Sequence, residues 1–175
     1  MSVSRWSSGG STPVALRPVV AGDEPWFQSL AADPAVVAYV GDGRPWSPQK
    51  ASRRFAQGLR ATNSASAGGW WVILTPSGHA TTTSRAGLVT AEKDRQGALE
   101  IGIWVDPRWW GRGLAKGALR ELVNTLPRRL TLVVHVDRAN TRSMRLLRTA
   151  GFQESSVLPQ ASTGPKLIRM EMHRR

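Results

Sequence analysis

Trp104-Val105-Asp106-Pro107-Arg108-Trp109-Trp110-Gly111-Arg112-Gly113-Leu114-Ala115-Lys116-Gly117 reads as the end of an apolar strand, a glycine-punctuated turn and the start of a helix. Gly111 and Gly113 carry no side chain, so successive backbone N–H groups can converge on a ligand at the positive end of a helix dipole. The pattern describes an anion cradle, and a pyrophosphate is its natural guest.

Around this cradle the chain alternates short apolar strands with amphipathic helices. Upstream, Ala98 to Val105 reads as a central strand, preceded by strands at Val14 to Val19, Trp70 to Thr75 and Arg85 to Lys93. Asp23-Glu24 and Pro25 open a helix through about Ala32, Asp33-Pro34 a second through about Val40, and Ser47-Pro48 a third through about Ala61. Downstream, Gly111 to Leu126 has helical composition and stops at Pro127. A buried-type strand follows at Leu130 to Val136, a helix at Asn140 to Ala150, and strands at Phe152 to Leu158 and Leu167 to His173. In the helix from Asn140, Met144, Leu147 and Ala150 share one side while Arg142, Arg145 and Arg148 step along another. Such an order makes a mixed α/β sheet.

The spacing Arg108-x-x-Gly111-x-Gly113-x-Ala115 resembles the acetyl-CoA-binding signature of the GNAT superfamily of N-acetyltransferases. Asn140-Thr141-Arg142-Ser143, then Leu146-Leu147, then Ala150-Gly151-Phe152, is similar to the later block of the same family. Leu16-Arg17-Pro18, with Asp33-Pro34 through Val40, looks like the opening of the branch that includes the ribosomal-protein N-terminal acetyltransferases. The resemblance runs from about Val14 to the C-terminus. It implies an α/β fold of GNAT type, with about six to seven mostly antiparallel strands splayed between the fourth and fifth and about four to five flanking helices. Residues 13–175 then form one such domain, and 1–12, rich in Ser and Gly, are expected to be disordered.

For the chemistry, the resemblance implies acetyl-CoA as cosubstrate and direct attack by a primary amine. Backbone groups of Ile103, Trp104 and Val105 would hold the pantetheine arm. Arg108 and the turn and helix start at Gly111, Arg112, Gly113, Leu114, Ala115 and Lys116 would hold the pyrophosphate, with Asn140 and Ser143 also on the cofactor. Glu100 is the candidate general base: it is the one acid in its strand, and alternation sets it on a face with Gly102 and Trp104. There a carboxylate partly buried beside tryptophan would be poised near neutrality. Many relatives protonate the departing thiolate with a tyrosine seven residues after the helix-opening asparagine, but Leu147 stands at that position and Tyr39 is the only tyrosine. Ser143 is the candidate in its place. Trp26 and Trp46 fall where the family lines its acceptor pocket, and the loop Leu158 to Lys166 is expected to border it.

Composition narrows the setting. With 175 residues and no cysteine, the chain excludes disulfides, thiolate metal sites and a thiol nucleophile. The three histidines have no metal-ligand spacing, and His135 reads as a packed or edge residue. No metal is expected. No apolar run suits a membrane span or a secretion signal, so a cytoplasmic location is expected, as a monomer or homodimer. The net charge of +12 concentrates in residues 105–148, which hold ten Lys/Arg against three Asp/Glu. That field suits a polyanionic cofactor. It also leaves open an acetyltransferase acting on aminoacyl-tRNA, and the cradle alone would serve a non-catalytic acyl-CoA sensor or scaffold. The scarcity of acids before the cradle counts against cationic acceptors such as polyamines.

Overall fold

A computed structural model of the chain describes residues 12–64, 68–76, 83–155 and 167–174. The strands are β1 (Ala15–Pro18), β2 (Gly69–Pro76), β3 (Thr83–Lys93), β4 (Leu99–Val105), β5 (Thr131–Asp137), β6 (Gln153–Glu154) and β7 (Leu167–His173). The helices are α1 (Glu24–Ala32), α2 (Pro34–Val37), α3 (Pro48–Asn63), α4 (Leu114–Thr125) and α5 (Thr141–Thr149). All strands join one sheet in the order β1-β2-β3-β4-β5-β7-β6. Each pair is antiparallel except β4–β5, which run parallel and pair only at Leu99↔Leu132 and Glu100↔Val133. Beyond Glu100 the two strands part, which is the splay the sequence led one to expect.

Alternation along the strands feeds two cores, one on each face of the sheet. Leu99, Ile101 and Leu132 face α4 and α5, where they meet Leu114, Leu119, Leu122, Met144 and Leu147. Val72, Leu88 and Trp104 face α1 and α3, against Phe27 and Phe55. Aromatic rings dominate this second core. Trp104 lies 5.7 Å from Phe27 and 5.1 Å from Trp46, edge-on to the latter.

The helix ends follow their caps. The Ser47 hydroxyl accepts from the Lys50 N–H at 3.2 Å with Pro48 in the first turn of α3, and the Asn140 side chain accepts from the Ser143 N–H at 3.1 Å to start α5. Two helices are shorter than the sequence suggests. α2 stops at Val37, because the Val40 N–H turns back to the Val37 carbonyl at 2.8 Å in a tighter bend. α4 starts at Leu114 and not at Gly111, because Gly111 and Gly113 are left-handed, at φ +75° and +77°. The strand expected over Phe152 to Leu158 is seen as Gln153–Glu154, with Phe152 buried in the α4/α5 core. Residues 156–158 lie outside the described residues, as do residues 1–11 of the expected disordered segment and the whole of the loop Leu158 to Lys166.

One close approach fixes how α3 sits on the sheet. A Cβ on Gly58 would stand 2.2 Å from the buried Trp70 ring, so only hydrogen fits there. Alanine ordinarily gains about 1 kcal/mol over glycine inside a helix. Here overpacking outweighs that gain, and Gly58→Ala is expected to cost about 2 kcal/mol of stability, read as a lower midpoint in urea unfolding. An unchanged midpoint would mean that α3 can lift off Trp70 freely.

Candidate active site

The parting of β4 from β5 leaves the β4 backbone from Ile101 to Val105 without a ladder on that side, and it leads directly into the glycine turn. Pro107–Trp109 makes one 3-10 turn, Gly111 and Gly113 follow, and α4 begins. The N–H groups of Leu114, Ala115 and Lys116 have no carbonyl one turn back, as at any helix start. Among the described residues no acceptor takes the N–H groups of Gly111 to Lys116. A Cβ built on Gly111 meets nothing within 4 Å, so the turn is open as well as donor-rich. This arrangement fits a diphosphate.

The charged side chains of the turn are engaged within the protein. The Arg108 guanidinium donates to the Asp106 carboxylate at 2.7 Å, and with the Arg108 N–H it holds the Asp106 carboxyl below the usual carboxylate range. Arg112 lies 5.0 Å over the Trp109 ring. Trp110 joins the two sides of the splay: its indole N–H donates to the Val105 carbonyl at 2.7 Å, and Arg142 of α5 lies 5.7 Å over its ring. α5 thereby brings its first turn, with Asn140 and a half-buried Ser143, to the end of β4. Leu147 is buried in the α4/α5 core, so that position contributes packing and no polar group.

Glu100 shares a face with Gly102 and Trp104, the face toward α1 and α3, but not in the surroundings expected of it. Its side chain is 48% exposed, and its partner is the ring of His135 on β5, with Nδ1 and Oε1 3.0 Å apart. Trp104 turns instead into the aromatic core. His135, read from the sequence as a packed or edge residue, is mostly covered, and its contact with Glu100 is what sequence reasoning missed. Only the strand register, pairing Glu100 with Val133 two residues earlier, reveals it. Glu92, opposite Glu100 on β3, is held by Arg54 and by the Trp70 indole N–H at 3.1 Å.

Trp26 and Trp46 both lie on this α1/α3 side. Trp46 packs edge-on against Phe27 and Trp104, and its buried indole N–H has no hydrogen-bond partner among the described residues. Trp26 lines a cleft of about 650 Å³ together with Arg17, Arg85, Arg108 and Trp109. Beneath it Asp23 is fully buried, its carboxylate bound by Arg17 at 2.9 Å and Arg85 at 3.0 Å. Burial alone would raise the Asp23 pKa, but the bonds from Arg17 and the Val20 N–H, with the charge of Arg85, outweigh it and lower the value.

The sequence of residues 14–153 matches the family profile of the acetyltransferase (GNAT) domain, and the chain belongs to that family. Membership implies an acyltransferase that draws on acetyl-CoA. No curated protein matches the sequence. Among solved structures, the fold is similar to an acetyltransferase from Agrobacterium tumefaciens, at 20% identity over 99% of this chain and 95% of that one, with a TM-score of 0.76. It is also similar to spermidine N-acetyltransferase from Vibrio cholerae, solved with CoA and spermine, at 20% identity over 92% and 95% of the two chains, TM-score 0.68. A third likeness is to a Salmonella typhimurium protein solved with its cofactor acetyl-CoA, at 16% identity over 91% and 93% of the chains, TM-score 0.64. No helix among the described residues is long and apolar enough to cross a membrane.

Proposed function

We propose that this chain is an acetyl-CoA-dependent N-acetyltransferase that transfers the acetyl group to a primary amine, on a protein or peptide N-terminus or a small molecule, by direct attack in a ternary complex. The observation that carries this reading is the opening between β4 and β5, which runs without interruption into the left-handed turn at Gly111 and Gly113. The amides of Gly111 to Lys116 hold the diphosphate, Arg108 and Arg112 add charge, and the unladdered backbone of Ile103 to Val105 holds the arm. Asn140 shapes the α5 end of the same path. When bound, acetyl-CoA supplies the acyl group as a thioester. Glu100, on the opposite face from α4 and in contact with His135, is the carboxylate of the proton-accepting group beside the acceptor. Ser143 is the hydroxyl that delivers a proton toward the departing sulfur.

The cleft lined by Arg17, Arg85 and Arg108 stays net positive even with Asp23 and Asp106 paired to them, which disfavours polycations, so the acceptor is a peptide α-amine or another amine without several positive charges. The test is a panel of N-terminal peptides, monoamines and spermidine with purified protein and acetyl-CoA, reading thiol release. Release with a peptide or monoamine, at least tenfold above spermidine, is expected. Heat of acetyl-CoA binding in calorimetry with no release on any amine would instead identify a sensor, and salt-sensitive retention on tRNA would favour an aminoacyl-tRNA acceptor. With an active amine in hand, Ser143→Ala is expected to lower kcat about tenfold to a hundredfold and leave the acetyl-CoA KM unchanged.

A further inference from the structure

We propose that His135 is the residue that takes the proton from the acceptor amine, and that Glu100 is its positioning residue. This rests on the acetyltransferase reading above and names the proton acceptor within the same site.

The parallel seam ends at Glu100↔Val133. Two residues further along β5, on the face of Val133, stands His135, while β4 has already turned away. The gap that opens between the strands is bridged there by the contact between His135 Nδ1 and Glu100 Oε1 at 3.0 Å. The ring is mostly covered, 14% exposed, and the carboxylate is half in solvent. An ionised carboxylate can only accept, so Nδ1 carries the hydrogen and the lone pair resides on Nε2. Among the described residues no hydrogen bond occupies Nε2.

The neighbouring charges single out Glu100. Arg169, opposite His135 in the β5–β7 register, would oppose a positive imidazole. It is buried and committed to Glu171 at 2.6 Å and Asp94 at 3.2 Å. Although burial lowers its pKa, those two bonds outweigh the effect and raise it. Asp137, next on the His135 face, accepts from the Ala139 N–H at 2.8 Å. Glu92 is bound to Arg54. Glu100 is thus the carboxylate of this belt whose partner, among the described residues, is the imidazole and not an arginine. Imidazole is the side chain best suited to exchange a proton with an amine at neutral pH, and a solvent-exposed carboxylate is a weaker acceptor.

The protons balance. The ammonium group of the acceptor gives one proton to Nε2, and the imidazolium is stabilised by Glu100 until that proton passes to solvent. The freed nitrogen lone pair forms the N–C bond as the thioester C–S bond breaks. The second amine proton ends on the sulfur, by way of Ser143 or directly.

The test uses the full chain. With the amine found by the panel above, His135→Gln is expected to lower kcat/KM about a hundredfold and remove the acidic limb of its pH profile, with acetyl-CoA affinity within twofold of wild type. Glu100→Gln keeps a hydrogen-bonding oxygen but loses the charge. It is expected to move that limb to lower pH, which a purely structural role would not do. Independently of activity, NMR titration of the imidazoles, with His135→Gln for assignment, should show the His135 midpoint falling in Glu100→Gln. A retained acidic limb in His135→Gln, or an unmoved His135 midpoint in Glu100→Gln, overturns the proposal. Failure of the wild type to acetylate any amine would overturn the proposed function instead, and the titration would still decide whether the pair is coupled.

Discussion

Gly113→Val is expected to bind acetyl-CoA about 30-fold more weakly than the wild type in calorimetry. Gly113 caps α4 at φ +77°, ψ +6°, a conformation that costs a side-chain-bearing residue about 1–2 kcal/mol and a β-branched one at least the upper figure. The chain relieves that strain by rotating the peptide, which turns the first amides of α4 away from their common focus. About 2 kcal/mol corresponds to the factor given. Gly97→Val supplies the control, because Gly97 has φ +82° in the hairpin between β3 and β4, at the other end of the strand. It carries the same backbone penalty with no effect on affinity. Equal affinity of Gly113→Val and wild type would show that the turn does not grip the diphosphate.

The second large effect is on stability. Asp23→Asn is expected to lose about 2–4 kcal/mol at neutral pH by urea unfolding, because it leaves Arg17 and Arg85 crowded over a buried amide that cannot neutralise them. The sign with pH follows from the lowered pKa of Asp23 in the folded chain. Its contribution is fully present above the unfolded value of about 3.9 and is lost as pH falls through the lower, folded value. The gap between wild type and Asp23→Asn should therefore be widest near neutrality and shrink below about pH 4. A gap that stays constant down to pH 3 would mean that the ion pairs contribute nothing beyond packing.

The cradle was legible because its physics is local: two glycines at that spacing, between a strand and a helix, leave few other conformations for the turn. The α5 helix was legible for the same reason, since Asn140 and Gly151 mark its ends in the sequence itself. The face shared by Glu100, Gly102 and Trp104 followed from alternation. What covers that face did not, because the packing of α1 and α3 against Trp104 depends on contacts between distant segments. The Glu100–His135 pair was illegible for a sharper reason. It depends on register across a parallel seam of two residue pairs, and no pattern within either strand records which residues of the other lie alongside. Arg108 shows a further limit. Its guanidinium pairs with Asp106, two residues earlier, a contact that the sequence reading did not include.

The two-rung seam between β4 and β5 divides the sheet into leaves of four and three strands, stitched at a single short hem. Few backbone bonds resist their opening, so alignment of the leaves falls to the helices packed beneath and to the Arg142–Trp110–Val105 clasp at the far end. A molecule long enough to lie along the slit would act as a third fastener, and the enzyme would be stiffest when loaded.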